Sequence, residues 1–354
     1  LLARDHVGIK PFYVASTPHG LVFGSEIKVL LASGWVDRKL DVDSLGQFLS
    51  WEYVPGRRTL FAGIGRLPPG GLLDIDVSSS EVRESSFWRV PPPFTAEASS
   101  STRSADDWAD EVDAAVHRAV RRQMVSDVPL GAFLSGGVDS SLVAAAMGSV
   151  HTFSVGFDDP SYNETAWSAE VARHLGVTHE IEVIRPDAHQ LFHTLMHHMD
   201  DPIGDFSIFP TYLVSRLARR HVTVSLSGDG GDEIFGGYET FVAQEKYRLW
   251  RRLPAWMRNG LIAPVADRLR PTAAKKGLVN KIKRFVEGAR VDPRLGHARW
   301  RLFAEGAFRD ALFTPAARAA MPTGVGDHIL RLFDEARTLD ERRRMLYVDF
   351  RSYL

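Results

Sequence analysis

Cysteine is absent from all 354 residues, which excludes disulfides, thiolate metal sites and any cysteine nucleophile on this polypeptide. No apolar run approaches the roughly 18 residues needed to cross a bilayer, and no basic-then-apolar leader opens the chain. The expectation is a soluble cytoplasmic protein with no membrane partner. A dominant charge is lacking too: 43 Lys+Arg stand against 44 Asp+Glu, so the overall balance asks for no nucleic acid. Gly-Lys-Ser/Thr and Gly-x-Gly-x-x-Gly strings are missing, which removes Walker-type and dinucleotide-binding loops.

What is present is ordinary for a globular protein, with 44% hydrophobic and 25% charged residues. At about 100–200 residues per domain, two domains are expected. The chain opens at Leu1 inside strand-like text, and the charged helical pattern Leu332–Leu354 stops without a cap or breaker, so a fragment of a longer protein is expected.

Residues 1–77 contain short β-type stretches, Gly8–Ala15 and Leu21–Gly24 around the turn Ser16-Thr17-Pro18-His19-Gly20, and an alternating Leu73, Ile75, Val77 strand. Residues 78–104 carry nine Ser and Pro91-Pro92-Pro93 without hydrophobic period, and read as a linker. Ser104 with Asp107 resembles a capping box, followed by Trp108, Val112, Ala115, Val116, Ala119 and Val120 at helical spacing. A second domain, 105–354, then alternates: strand Leu130–Leu134, helix Leu142–Met147, strand His151–Phe157, helix Thr165–Leu175, strand Glu180–Ile184, helix Pro210–Arg220, strand Val222–Leu226. This is α/β patterning, a parallel sheet with helices on both faces. Residues 235–354 read as mainly helical.

The sharpest string is Ser135-Gly136-Gly137-Val138-Asp139-Ser140, between a buried strand and a helix. Glycines let backbone come close to a ligand, successive N–H groups wrap phosphate oxygens, and the helix start favours an anion. A plain strand-to-helix turn needs one Gly at most. A second string, Ser225-Leu226-Ser227-Gly228-Asp229-Gly230-Gly231-Asp232-Glu233-Ile234-Phe235-Gly236-Gly237-Tyr238, again follows a strand. It crowds Asp229, Asp232 and Glu233 together, an arrangement that repels itself unless a cation sits among them; an exposed acidic turn is the rival reading. Asp139 has a rival role as a helix cap.

Together the two strings resemble the glutamine-hydrolysing asparagine synthetase family, and the likeness extends to Gly8-Ile9-Lys10-Pro11, Ser25-Glu26-Ile27-Lys28, Leu67-Pro68-Pro69-Gly70 and Asp200-Asp201-Pro202. The resemblance implies an adenine nucleotide alpha hydrolase-like domain of pyrophosphate-loop type, with a helical C-terminal part. It also implies that residues 1–77 are the C-terminal part of an Ntn-hydrolase-like glutaminase. It implies MgATP-driven adenylation of a carboxylate, most readily L-aspartate, release of pyrophosphate, and displacement of AMP by ammonia normally supplied from glutamine. It places Ser135, Gly136, Gly137, Asp139 and Ser140 around pyrophosphate, Asp139 and Asp232 on Mg²⁺, and Leu134, Val155, Ser227 and Gly228 around adenosine. Asp229 falls near substrate and adenylate, where many relatives have Glu. A homodimer is compatible with the family. The glutaminase nucleophile would lie upstream of Leu1, and a Lys assisting the second step downstream of the helix holding Arg342–Tyr353.

Other readings stay open on the same residues. An adenylating amide synthase or cyclase shares the fold, but β-lactam synthetase relatives typically place Tyr where Asp229 stands. A pyrophosphate-loop tRNA-modifying enzyme would use the basic stretch Lys246–Arg301, where 16 Lys+Arg face Asp267, Glu287 and Asp292. There Trp250, Trp256, Phe285 and Trp300 fall at helical apolar positions rather than in a stacking motif, so a helical core is expected. His193 and His197 are four apart with Asp200 and Asp201 close behind; a solvated helix face is preferred over a metal site. Thr178-His179-Glu180 reads only as the opening of a strand.

Overall fold

The computed structural model describes residues 1–90, 103–159, 163–184, 188–270, 277–321 and 324–353. The chain forms two compact units, Leu1–Thr95 with His198–Gly204 and Glu233–Leu354, and Ala96–His197 with Asp205–Asp232. Hydrophobic periodicity marks which face of a helix is buried but not which distant segment buries it.

The first unit begins with β1 (Leu2–Ala3), β2 (Tyr13–Thr17), β3 (Gly20–Gly24), α1 (Ile27–Ala32), α2 (Val42–Trp51), β4 (Gly65–Arg66), β5 (Gly71–Asp76) and β6 (Glu81–Ser86). They make two antiparallel three-stranded sheets, β1-β5-β6 and β3-β2-β4. The hairpin turn of β2 and β3 is held by Thr17, whose hydroxyl donates to Gly20 O at 2.9 Å. Strand β6 lies inside the expected linker. All six of its residues are exposed, so it has no apolar alternation to betray it, and full pairing from Gly71↔Ser86 to Asp76↔Glu81 makes it a strand. Pro91–Pro93 lie outside the described residues.

The second unit holds α3 (Ala105–Gln123), β7 (Leu130–Phe133), α4 (Val138–Met147), β8 (His151–Phe157), α5 (Thr165–Leu175), β9 (Thr178–Ile184), α6 (Ala188–His198, its last residue in the first unit), α7 (Ile208–Ala218) and β10 (Val224–Leu226). The capping box at Ser104 is formed, the hydroxyl accepting from Asp107 N at 3.1 Å and the Asp107 carboxylate from Ser104 N at 2.9 Å. All four strands run parallel in the order β10-β7-β8-β9. Alternation of side chains splits the core in two. Ala132 and Leu134 face α3, α4 and α5 through Val120, Ala144, Met147 and Ala172, whereas Phe153 faces Val214, Leu217 and Ala218 of α7. Helices therefore cover both faces, as the α/β patterning requires.

The remainder of the first unit is helical: α8 (Gly231–Phe235, begun in the second unit), α9 (Glu239–Trp250), α10 (Ala255–Met257), α11 (Ala263–Arg268), α12 (Leu278–Arg290), α13 (Gly306–Ala311), α14 (Pro315–Ala319), α15 (Asp327–Glu335) and α16 (Glu341–Ser352). A π-helical turn, Arg258–Ile262, and a 3₁₀ segment, Pro293–Arg301, interrupt the α-helices. Trp51 of α2 shares one core with Val291, Leu295, Ala298, Ile329, Leu332, Phe333 and Val348. Most of the basic stretch is exposed, with Arg299 the exception turned inward. Arg299 is 1% exposed, with its guanidinium 3.5 Å from the Tyr247 ring centroid and 4.1 Å from that of Trp300, and burial lowers its pKa. Trp250, Phe285 and Trp300 meet by edge and stacked contacts, with Trp250 and Phe285 packed on a separate cluster of Ala263, Ala266 and Val286, while Trp256 is exposed.

Candidate active site

The parallel neighbours β7 and β10 each run out, at their C-terminal ends, into a Ser- and Gly-rich loop. From β7 the chain steps through α4 and α5 to β8 and β9 on one side, then returns past α7 to β10 on the other. Connections thus diverge between β7 and β10, the point where doubly wound sheets open a ligand crevice. All the residues expected around nucleotide, metal and substrate lie in this second unit.

The loop after β7 is anchored by Leu134, which is 1% exposed, donates its N–H to Phe153 O at 3.0 Å and accepts the Ser154 hydroxyl on its carbonyl. Gly136 has φ +83°, and a Cβ there would stand 2.7 Å from Ser168 N, so both conformation and space demand glycine. Serines lock the loop from within. The Ser135 hydroxyl accepts from Gly137 N at 3.2 Å and lies 3.0 Å from that of Ser140, which accepts from Ser135 N at 3.2 Å. The Ser141 hydroxyl donates to Gly137 O at 2.6 Å. Gly137 is the N-cap of α4 and supplies no side-chain acceptor; Asp139 sits inside the first turn and is not the cap. The rival structural role for Asp139 is therefore not the one it takes.

The loop after β10 closes on itself, with Gly231 N donating to Gly228 O at 3.2 Å and the Ser227 hydroxyl donating to Asp229 at 2.7 Å. It is pressed against the first loop. A Cβ on Gly228 would lie 2.7 Å from Ser140 N and 2.8 Å from Asp139 Cβ, and one on Gly231 only 2.5 Å from Asp139 Cγ. The two loops meet this closely because neither position carries a side chain.

Ser135, Gly136, Gly137, Asp139, Ser140, Ser227 and Gly228 thus form one cluster, with Asp229 and Asp232 on the same second loop. Leu134 and Val155 are not brought together: Leu134 packs toward α4 and α5, Val155 toward the α7 side of the sheet. Glu233 departs from the acidic trio. It belongs to the first unit, is 5% exposed, and accepts the Tyr238 hydroxyl at 2.5 Å; burial, reinforced by this carboxylate, holds the Tyr238 pKa well above the usual phenol.

Asp200 and Asp201 also serve the first unit. Asp200 accepts from Ile27 N at 2.6 Å, at the start of α1, and from Lys28 Nζ at 3.0 Å. Asp201 pairs with Arg66, and burial raises its pKa. Among the described residues no group of three or more His, Asp or Glu is assembled for a metal, around His193 and His197 or elsewhere. No helix among them is long and apolar enough to cross a membrane.

Beneath the first loop lies a polar set, Thr152, Ser154, Ser168 and His179, of which the sequence singles out only His179, as the opening of a strand. Thr152 and Ser154 come from β8, Ser168 from α5 and His179 from β9. The one sequence signal is three hydroxyls and an imidazole on strand and helix faces that should be apolar.

A family model described as asparagine synthase matches residues 111–354, and one described as glutamine amidotransferase domain matches residues 1–88. The chain is 34% identical over 265 residues to asparagine synthetase [glutamine-hydrolyzing] 1 of Bacillus subtilis, covering 73% of this chain and 41% of that protein. It is 34% identical over 268 residues to a putative asparagine synthetase [glutamine-hydrolyzing] 2 of Methanocaldococcus jannaschii, covering 72% and 50%. A Penicillium rubens protein named amidase chyE is 28% identical over 270 residues, covering 69% and 38%. The matched regions span half or less of the length of these relatives.

Proposed function

The chain belongs to the asparagine synthase family, and from that premise we propose that its second unit activates a carboxylate with ATP for conversion to an amide. The carboxylate oxygen attacks the α-phosphorus, pyrophosphate leaves, and an acyl-adenylate forms. Ammonia then attacks the acyl carbon, the C–O bond to AMP breaks, and the amide and AMP depart. L-Aspartate is the acceptor we assign, giving L-asparagine.

The observation that carries this reading is the contact of two glycine-rich loops at the β7/β10 switch point, with Gly228 and Gly231 laid on Asp139. Backbone exposed by glycine and the start of α4 suit the phosphates, with Ser135, Gly136, Gly137 and Ser140 as their cradle. Asp139 and Asp232 fit Mg²⁺: two hard carboxylates are too few to hold the ion alone, but enough when phosphate oxygens complete its shell. When bound, Mg²⁺ offsets the negative charge that builds as pyrophosphate leaves. Leu134, Val155, Ser227 and Gly228 are assigned to the adenosine, the first two from opposite faces of the strand ends. Asp229, exposed and oriented by Ser227, stands where the acceptor or its adenylate is handled. Residues 1–88 are assigned as the C-terminal part of a glutamine amidotransferase domain, whose glutamine-derived ammonia the reaction uses.

The test is AMP release with MgATP and ammonium, comparing L-aspartate with other amino-acid carboxylates. Aspartate-stimulated AMP with asparagine in step supports the assignment. Stimulation by a different acid redirects the acceptor, and background release with every acid rejects it.

A further inference from the structure

His179, on β9, lies in the same layer as the phosphate loop's supports. Its Nδ1 is 2.8 Å from the Thr152 hydroxyl, and its Nε2 is 3.3 Å from the Ser154 hydroxyl and 3.2 Å from that of Ser168. Thr152, Ser154 and Ser168 are 0%, 6% and 1% exposed, so none can turn to water instead.

Each serine already has a carbonyl for its own proton. Ser154 donates to Leu134 O, and Ser168 donates to Thr165 O at 3.1 Å. Both therefore offer lone pairs to the ring, and Nε2–H, shared between them, satisfies both at once. In that tautomer Nδ1 has no proton to donate, and the Thr152 hydroxyl, which also reaches Thr178 O at 2.9 Å, divides its one proton between that carbonyl and the ring. Burial lowers the His179 pKa, which keeps the ring neutral and this assignment consistent.

The two serines reach the loop from two sides. Through Ser154 the imidazole fixes the carbonyl of Leu134, the residue immediately before the loop. Through Ser168 it fixes the start of α5, whose backbone at Trp167 and Ser168 is the wall against which Gly136 is laid.

We propose that His179 is a positioning residue for the phosphate loop, setting through Ser154 and Ser168 the backbone that receives the β- and γ-phosphates of ATP. The inference rests on the ATP-binding reading above. It predicts that losing the Nε2 side of the ring weakens ATP binding and spares AMP, which lacks the terminal phosphates. Gln places its amide nitrogen near the position of Nε2, and Asn places its own near that of Nδ1, so the two variants separate the serine side from the threonine side.

The experiment is titration calorimetry of MgATP and of AMP on the whole chain and on His179→Ala, His179→Gln and His179→Asn, with thermal denaturation of each. We expect His179→Ala and His179→Asn to weaken MgATP by about tenfold, the scale of one or two hydrogen bonds. AMP changes by less than about twofold, and His179→Gln returns MgATP to within about threefold of the parent. Equal affinity in the Gln and Asn variants, or parallel losses of MgATP and AMP, overturns the proposal even if the Ala variant does not fold. A parent chain that binds MgATP no better than AMP rejects the ATP-binding reading itself; a parent that discriminates, with variants that do so equally, rejects only the role of His179.

Discussion

The indole N–H of Trp51 donates to the backbone carbonyl of Val325 at 2.6 Å, across 274 residues of sequence. Trp51 ends α2 and Val325 precedes α15, so this bond ties segments far apart in the sequence into one core. A second tie runs alongside, from Phe303 N to Ser50 O at 2.8 Å.

Replacing this indole tests whether the unit is one cooperative body. Trp51→Phe loses the bond but keeps most of the ring, and is expected to cost about 1–2 kcal/mol; Trp51→Ala adds a cavity and is expected to cost about 3–5 kcal/mol. Urea titration followed by circular dichroism measures both. An unchanged midpoint in Trp51→Ala contradicts the shared core.

Two glycines with positive φ separate strain from contact. Gly136 (φ +83°) and Gly148 (φ +75°) both lie in the left-handed region, but only Gly136 has neighbours where a Cβ would go. Gly148→Ala is expected to cost about 1–3 kcal/mol of stability and leave nucleotide binding intact. Gly136→Ala must displace Trp167 and Ser168 or the loop itself, and is expected to weaken MgATP at least about tenfold. Calorimetric titration of the pair checks the contrast.

Asp139→Asn and Asp232→Asn keep shape and remove charge. If the two carboxylates hold Mg²⁺ against the phosphates, each variant lowers AMP formation by about a hundredfold or more with an unchanged circular dichroism spectrum. Retained turnover in both contradicts the metal assignment. Asp139 bears the clearer expectation, since it does not cap α4.

Acid sensitivity should come in part from His328 on α15, whose imidazole lies against Gly56. Burial first, then Arg331 and Arg351, lower its pKa to about 4. The unfolded value is near 6.5, so between these values the unfolded chain binds the proton more tightly than the folded one. Stability from this group is complete above about pH 6.5 and is lost as the pH falls toward 4, by on the order of 3 kcal/mol at most. His328→Gln is expected to flatten the urea midpoint between pH 7 and 4.5; an unchanged slope contradicts it.

The sheet was readable because its central strands, β7 and β8, are largely buried and the loops after β7 and β10 are rich in Gly and Ser. His151–Phe157 and Thr165–Leu175 are found where the apolar pattern puts them, and both glycine-rich loops follow strands as their motifs require. What escaped was whatever depends on a partner. Strand β6 exists through its pairing with β5, and α2 gains its place through Trp51 and residues nearly 300 positions away. His179 shows the same limit at the site: Thr152, Ser154 and Ser168 come from β8 and α5, and only the parallel register, with Thr152 opposite His179, brings them to one ring. Asp200-Asp201 resembled a family motif, but its carboxylates serve α1 and Arg66.

Oxygen tracing shows whether the carboxylate is activated by transfer to AMP. With L-aspartate carrying ¹⁸O in its side-chain carboxylate, the chain, MgATP and ammonium, the account predicts one ¹⁸O in the phosphate of the released AMP, seen by ³¹P NMR, and none in pyrophosphate. Label in inorganic phosphate with ADP as co-product would mean attack at the γ-phosphorus, and would contradict the account.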